Sequence, residues 1–313
     1  MRKIIIPPIK SQGIKTKLVP WIYAVISEHN GRWIEPFMGT GVVAFNMDFD
    51  DVLLSDTNPH LINFYNALKE KAITPLIVKN YLETEGEKLQ KANDDGYEHY
   101  KYIRDRFNEK FDPLDFLFLS RAGFNGMIRF NSKGKWNIPF CKKPERFSKS
   151  YITKIVNQVT KVSQVLNEHW TFVNKDFREM IPLAGENDIV YCDPPYYGRY
   201  VDYYNGWTDN DEHDLYELLN NTRARFILST WHHNDFRDNE MVKRYWNNFN
   251  IVTKDHFYFS GGKIENRNSI VEALVYNFES NTSKHNYEPI IQEEQLSLFE
   301  SSMPYCAETA INK

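Results

Sequence analysis

The chain has 313 residues, 42% hydrophobic and 26% charged, ordinary proportions for a protein that buries a sizeable core. Lys plus Arg (38) against Asp plus Glu (42) leaves −4, so no global positive charge advertises a nucleic-acid partner. No apolar run reaches the roughly 20 residues of a membrane helix, Met1–Lys17 lacks signal-peptide features, and the three cysteines (Cys141, Cys192, Cys306) form no CxxC or zinc pattern. Secreted, fibrous, disordered and membrane classes are thereby excluded, leaving a metal-free cytoplasmic enzyme as the expectation.

In chain order, a strand is predicted over Arg32–Phe37, then the turn Met38-Gly-Thr-Gly41, then apolar residues at helical spacing to Met47. A second strand, Asp51–Ser55, ends at Asp56, and a helix begins near Pro59. Residues 74–110 read as two or three helices. From Phe124 to Phe140 small, polar and aromatic residues alternate around Gly126 and Gly134, the pattern of a β-hairpin with Lys133-Gly134 at its tip. After a helix near Ser150–Asn167, a strand–helix rhythm resumes with strands at Trp170–Val173, Asp188–Cys192, Arg225–Thr230, Asn250–Phe259 and Ser269–Phe278. That rhythm predicts an α/β fold with a largely parallel sheet covered by helices on both faces. Residues 1–60 and 165–280 are expected to form the sheet domain, 61–164 an inserted helical domain with the hairpin, and 281–313 an acidic tail. Charge is segregated: Arg121–Lys149 carries a local +7 and Asp176–Glu217 a local −9, so a polyanion is expected on one face only.

Two motifs carry chemistry. In Glu35-Pro-Phe-Met-Gly-Thr-Gly41, Gly39 and Gly41 sit between a strand and a helix, where a ligand can approach the backbone. Asp56, at the end of the next strand, is placed to accept from a ribose diol. The third glycine of the dinucleotide fingerprint is missing, Ala44 standing there, which suits a nucleoside without a pyrophosphate, such as S-adenosylmethionine, better than NAD. The second motif is the strand Asp188–Cys192 running into Asp193-Pro-Pro-Tyr196. Two prolines fix the backbone as it leaves the sheet. A carboxylate and a backbone carbonyl there can accept both N–H groups of an exocyclic amine and stabilise positive charge as a methyl arrives, while an aromatic ring stacks on the base.

The order of Phe-x-Gly-x-Gly, a helical insertion and Asp-Pro-Pro-Tyr resembles the Dam-type (D12 class) DNA adenine-N6 methyltransferases. The segment Arg121-Ala-Gly-Phe-Asn-Gly-Met-Ile-Arg-Phe-Asn-Ser-Lys-Gly-Lys-Trp-Asn-Ile-Pro-Phe140 is similar to that family's target-recognition hairpin. The resemblance runs from about Ile9 to Phe278 and includes a final strand in Asn266–Phe278. It implies a Rossmann-like class I methyltransferase sheet, S-adenosylmethionine as cofactor and duplex DNA as partner. Asp193, Pro194 and Tyr196 would be catalytic; Glu35, Pro36, Phe37, Gly39, Thr40, Gly41, Asp56, Asp176, Phe177 and Asp193 would line the cofactor site. The family's Lys-Trp-x-Gly-Gly-Lys is here Lys10-Ser-Gln-Gly-Ile-Lys15. Lys15 and Gly13 would still meet the cofactor and Lys10 the DNA flank, with departures at Ser11 and Ile14.

In the basic segment, Lys133, Lys135, Lys142, Lys143 and Arg146 can neutralise phosphates. Arg121, Asn125, Arg129 and Asn131 carry the planar groups that read base edges, and Phe124 resembles the aromatic that fills space near an extruded base. The tail motif Gln295-Leu-Ser-Leu-Phe299 presents Leu296, Leu298 and Phe299 in an acidic setting and resembles a peptide that binds the bacterial sliding clamp; otherwise a monomer is expected. Trp231-His232-His233 reads as packing and pocket wall. Cytosine N4, RNA or a protein amide as acceptor, an NAD-dependent oxidoreductase, and a catalytically inactive DNA-binding subunit are the competing readings.

Overall fold

The computed structural model describes residues 3–26, 30–198, 206–257 and 269–280. Seven strands form one sheet: β1 (Trp33–Glu35), β2 (Val52–Ser55), β3 (Trp170–Val173), β4 (Ile189–Cys192), β5 (Arg225–Asn234), β6 (Asn250–Phe257) and β7 (Ser269–Tyr276), in the order β3-β2-β1-β4-β5-β7-β6. The first five are mutually parallel, and β7 lies antiparallel between β5 and β6. This is the mixed, Rossmann-like α/β sheet expected. β1 and β4 are wholly buried, as strands covered on both faces must be. The chain runs outward from β1 in both directions, so the crevice beyond the carboxyl ends of β1 and β4 is where a ligand belongs.

Short helices flank the sheet: α1 (Val19–Val25), α7 (Phe177–Met180) and α8 (Asp209–Asn221). Thr208 and Asp211 cap the start of α8 reciprocally. The helix expected up to Met47 is a single tight turn over Ala44–Asn46. Phe45 tucks under the glycine turn there, where a Cβ on Gly41 would come within 2.6 Å of its ring. β5 runs past Thr230 to Asn234, with a register shift between Trp231 and His233.

Between β2 and β3 lie α2 (Pro59–Lys69), α3 (Pro75–Lys91), α4 (Tyr97–Lys110), α5 (Pro113–Ala122) and α6 (Lys149–Val165). A boundary at residue 60 would fall inside α2, whose Tyr65 stacks on Phe172 of β3 with centroids 5.5 Å apart. Insertion and sheet share one hydrophobic core. α5 has no amphipathic signature because Asp115 through Ala122 are all buried. Its Asp115 is satisfied by Arg106 from α4, at 2.5 Å, and by the Tyr81 hydroxyl from α3.

The expected hairpin over 124–140 is not a pair of regular strands. Two isolated bridges, Gly123↔Phe140 and Phe130↔Trp136, and single backbone bonds such as Phe124 N–H to the Pro139 carbonyl and Asn137 N–H to the Arg129 carbonyl join its two sides, while Trp136 and Ile138 turn inward among the helices (2% and 0% exposed). Tyr100 donates to the Ile138 carbonyl and accepts from the Trp136 indole, which replaces ladder hydrogen bonds. Among the described residues no helix is long and apolar enough to cross a membrane.

Candidate active site

β1 and β4 pair side by side, Ile34 opposite Val190, so Glu35-Pro36 and Cys192-Asp193 leave the sheet at neighbouring points. The turn after β1 needs positive φ at Gly39 (+49°) and Gly41 (+79°), conformations that glycine adopts without a Cβ penalty. It is held from three directions. The Tyr65 hydroxyl donates to the Thr40 carbonyl at 2.6 Å, Ser55 donates to the Pro36 carbonyl, and the Gly39 N–H donates to Asp56 Oδ2 at 2.9 Å. Asp56 Oδ1 accepts from the Asn58 N–H at 2.8 Å. Burial pushes the Asp56 carboxyl up to about 6, with both backbone N–H bonds opposing. Glu35 is 2% exposed and accepts from the Trp33 indole at 3.0 Å. Burial holds its carboxyl far above the usual range, so the neutral acid is favoured.

Above Gly39 there is open space: an added Cβ would meet nothing within 4 Å. Phe37 flanks the turn, stacked on Phe177 (centroids 5.3 Å apart) and edge-on to Trp207 at 5.7 Å. Phe177 is itself buried. Asp176 is committed to the start of α7, accepting from the Arg178 N–H and pairing with its guanidinium at 3.2 Å.

On the β4 side, Pro194 is buried and Asp193 half-buried. Lys15 Nζ lies 3.2 Å from Asp193 Oδ1, donates to the Tyr196 hydroxyl at 2.6 Å and sits 4.3 Å from that ring's centroid. Desolvation lifts the Asp193 carboxyl to about 6; Lys15 pulls it down and Glu272 pushes it up. The Tyr196 hydroxyl donates in turn to Glu272 on β7, and Ser229 Oγ stands 3.5 Å away. Trp231 donates to the Tyr197 carbonyl and Arg237 to the Gly198 carbonyl, bracing the loop from β5 and the turn after it. Glu272 and Ser229 were not among the expected site residues. A glutamate in the middle of the apolar run of β7 was the available signal, since an isolated buried carboxylate is costly.

A family model described as D12 class N6 adenine-specific DNA methyltransferase matches residues 11–259. The chain belongs to that family. It is 33% identical over 224 residues to a DNA adenine methylase of Vibrio cholerae, covering 68% of this chain and 76% of the relative. It is 32% identical to a DNA adenine methylase of Haemophilus influenzae, covering 61% and 63%. Type II methyltransferase M.FokI of Planomicrobium okeanokoites is 25% identical over 88% of this chain and 43% of the relative. An oxidoreductase reading has no support in these matches.

In this D12-class methyltransferase the basic segment divides its polar side chains between two tasks. Arg121, expected at a base edge, is 5% exposed. Its guanidinium donates to the Pro8 carbonyl and, at 2.6 Å, to Gln158 Oε1, anchoring the N-terminal segment. Asn131 Oδ1 accepts from the Lys133 and Lys135 N–H groups at 2.9 and 3.1 Å, which shapes the turn. Asn125 is exposed, Phe124 and Arg129 are half-buried, and Lys133 and Lys135 are exposed; the Arg129 Nε donates to Asn137 Oδ1 at 3.1 Å. Lys10 lies along Gly126, where a Cβ would approach its stem to 2.8 Å. Burial and the nearby Arg146 and Arg121 depress its ammonium to about 8. Ile14 packs against the core and Gly13 takes φ +73°. Residues 8–15 thus run from Arg121 and Gly126 to Asp193. His232 and His233 bond through their Nδ1 atoms at 2.8 Å, and no metal-ligand cluster exists among the described residues. Gln295, Leu296, Leu298 and Phe299 lie outside the described residues.

Proposed function

We propose that this chain transfers a methyl group from S-adenosylmethionine to N6 of an adenine turned out of duplex DNA. The open space over Gly39, the Asp56 carboxylate and the Phe37 ring suit a nucleoside with a ribose diol: Asp56 would accept from the diol, and Phe37, supported by Phe177, would line the adenine. The bound cofactor supplies an electrophilic methyl group on a positively charged sulfur. The remaining work falls to the chain's own residues. Asp193, ionised at neutral pH, accepts one N6–H and the Pro194 carbonyl accepts the other, which localises the nitrogen lone pair and stabilises the charge that develops on it; one of the two N6 protons then leaves to the Asp193 carboxylate or to water. Tyr196 stacks on the base, returning roughly 1–3 kcal/mol of the cost of extrusion.

The observation that carries this reading is the Asp193–Lys15–Tyr196 constellation, at the strand end beside the glycine turn. Its test combines two measurements on the full chain: label transfer from methyl-labelled cofactor to duplex DNA, and fluorescence of 2-aminopurine placed at the target adenine. Transfer to adenine with a fluorescence rise on binding supports the reading. Transfer to cytosine or to RNA, or binding without transfer, favours one of its competitors. Gln295–Phe299 is carried forward as a clamp-docking peptide; unchanged clamp binding after Leu298→Ala plus Phe299→Ala would end that part.

A further inference from the structure

Glu272 is fully buried, in the middle of β7, where its in-register neighbours are Trp231 on β5 and Lys254 on β6. A carboxylate taken out of water is costly unless hydrogen bonds or opposite charges offset its lost hydration. Its side chain reaches the carboxyl-end crevice and accepts the hydroxyl proton of Tyr196. That hydroxyl accepts in turn from Lys15 at 2.6 Å, and Lys15 pairs with Asp193 at 3.2 Å. The order of donation along the chain is therefore fixed by chemistry: ammonium to phenol, phenol to carboxylate. The two prolines set the backbone of the loop, and the partners of the Tyr196 hydroxyl, with Lys15 over the ring, hold where the ring stands.

We propose that Glu272 is a positioning residue for methyl transfer: it anchors the Tyr196 hydroxyl, and through Tyr196 and Lys15 it sets the orientation of the Asp193 carboxylate. This inference rests on the assignment of Asp193 and Tyr196 to the reacting base. Its reach across the sheet explains why a β7 residue belongs to a site built otherwise from the ends of β1 and β4. It also gives the site an electrostatic signature. Lys15 and Glu272 act on Asp193 from the N-terminal segment and β7, and Asp193 acts in turn on Glu35 of β1 and on Tyr191 and Cys192 of β4. On the far side of Glu272, His256 and Lys254 come from β6, with Lys17 near His256. Within that set the negative charge of Glu272 opposes ionisation of Asp193, so removing it eases that ionisation.

The test is Glu272→Gln in the full chain, with steady-state kinetics across pH on duplex DNA. Glutamine replaces the charge-assisted acceptor of the Tyr196 hydroxyl by a weaker neutral amide, which loosens the anchor and removes the charge. The expected result is a fall in kcat of roughly 10–100-fold, the scale of a small misplacement of a catalytic group. KM for the donor should be nearly unchanged, and the acid limb of the kcat profile should shift to lower pH. Tyr196→Phe, which keeps the ring and cuts the link, should lose a similar factor, and the double variant should lose no more than the larger single loss. Should Glu272→Gln not fold, Tyr196→Phe with wild-type kcat would overturn the proposal, and a matching loss would support it. A folded Glu272→Gln with wild-type kcat and an unmoved acid limb overturns it outright. Asp193→Ala separates the two levels: if that variant still transfers methyl, the site assignment itself has failed, whereas its inactivity beside an unaffected Glu272→Gln removes only the positioning role.

Discussion

The carboxyl edge of the sheet and the basic segment at 121–149 both display polar side chains on irregular backbone, yet they use them in opposite ways. At the sheet edge the scaffold is supplied by strand pairing, by two prolines and by Tyr65 and Ser55 behind the glycine turn, so Asp193, Lys15 and Tyr196 are left to face one another. In the basic segment the pairing is limited to two isolated bridges and scattered backbone bonds. Arg121 is spent on the Pro8 carbonyl of the N-terminal segment and Asn131 Oδ1 on the Lys133–Lys135 turn, while Arg129 bonds Asn137. A motif borne on regular structure keeps its chemistry available; one borne on coil spends part of it on folding.

The largest expected effect breaks the sheet-edge half of this contrast. Asp193→Ala should cut methyl transfer by more than ~100-fold while leaving DNA affinity within about twofold, measured by label incorporation and by titration of duplex DNA. Next, Arg121→Ala strips the partners from the Pro8 carbonyl and Gln158, so it should destabilise the fold by about 2–4 kcal/mol in denaturant unfolding. A stable Arg121→Ala variant with altered sequence preference would instead return Arg121 to the base edge.

A third expectation concerns pH. Asp193 ionises near 6 in the fold against an ordinary 3.8, so ionising it costs the folded state. Its presence lowers stability as pH rises from about 4 to 6 and keeps it lower above. Asp193→Asn should therefore stabilise the inactive protein by roughly 1–3 kcal/mol at pH 8 and not at all below pH 4. The same ionisation predicts that transfer by the wild type falls as pH drops through 6. Smaller again, Asn131→Ala should cost about 1 kcal/mol through the Lys133–Lys135 turn, and Lys133→Ala plus Lys135→Ala should reduce the salt slope of DNA binding by about 2 without changing the preferred sequence. Unequal losses across sequences would mean that those lysines read bases.

The positions of the strands and the site's spine were legible because their signals are local: apolar runs for β1 and β4, Gly39 and Gly41 for the turn, two prolines after Asp193. Three features were not. The turn at Ala44–Asn46 kept helical spacing of apolar residues because Phe45 must fill the space under Gly41, not because a helix follows. α5 is apolar all round and carries no periodic signal. Glu272 joins the site only through a strand inserted antiparallel between β5 and β6, a pairing that sequence order does not announce.

The most direct measurement is base-resolved mapping of methyl groups on duplex DNA exposed to the wild-type chain and to Asp193→Ala. Methyl groups on adenine N6 within one short sequence, absent with the variant, are the predicted result. Methylation on another base, or an undiminished adenine signal from Asp193→Ala, would contradict the role given to the loop after β4.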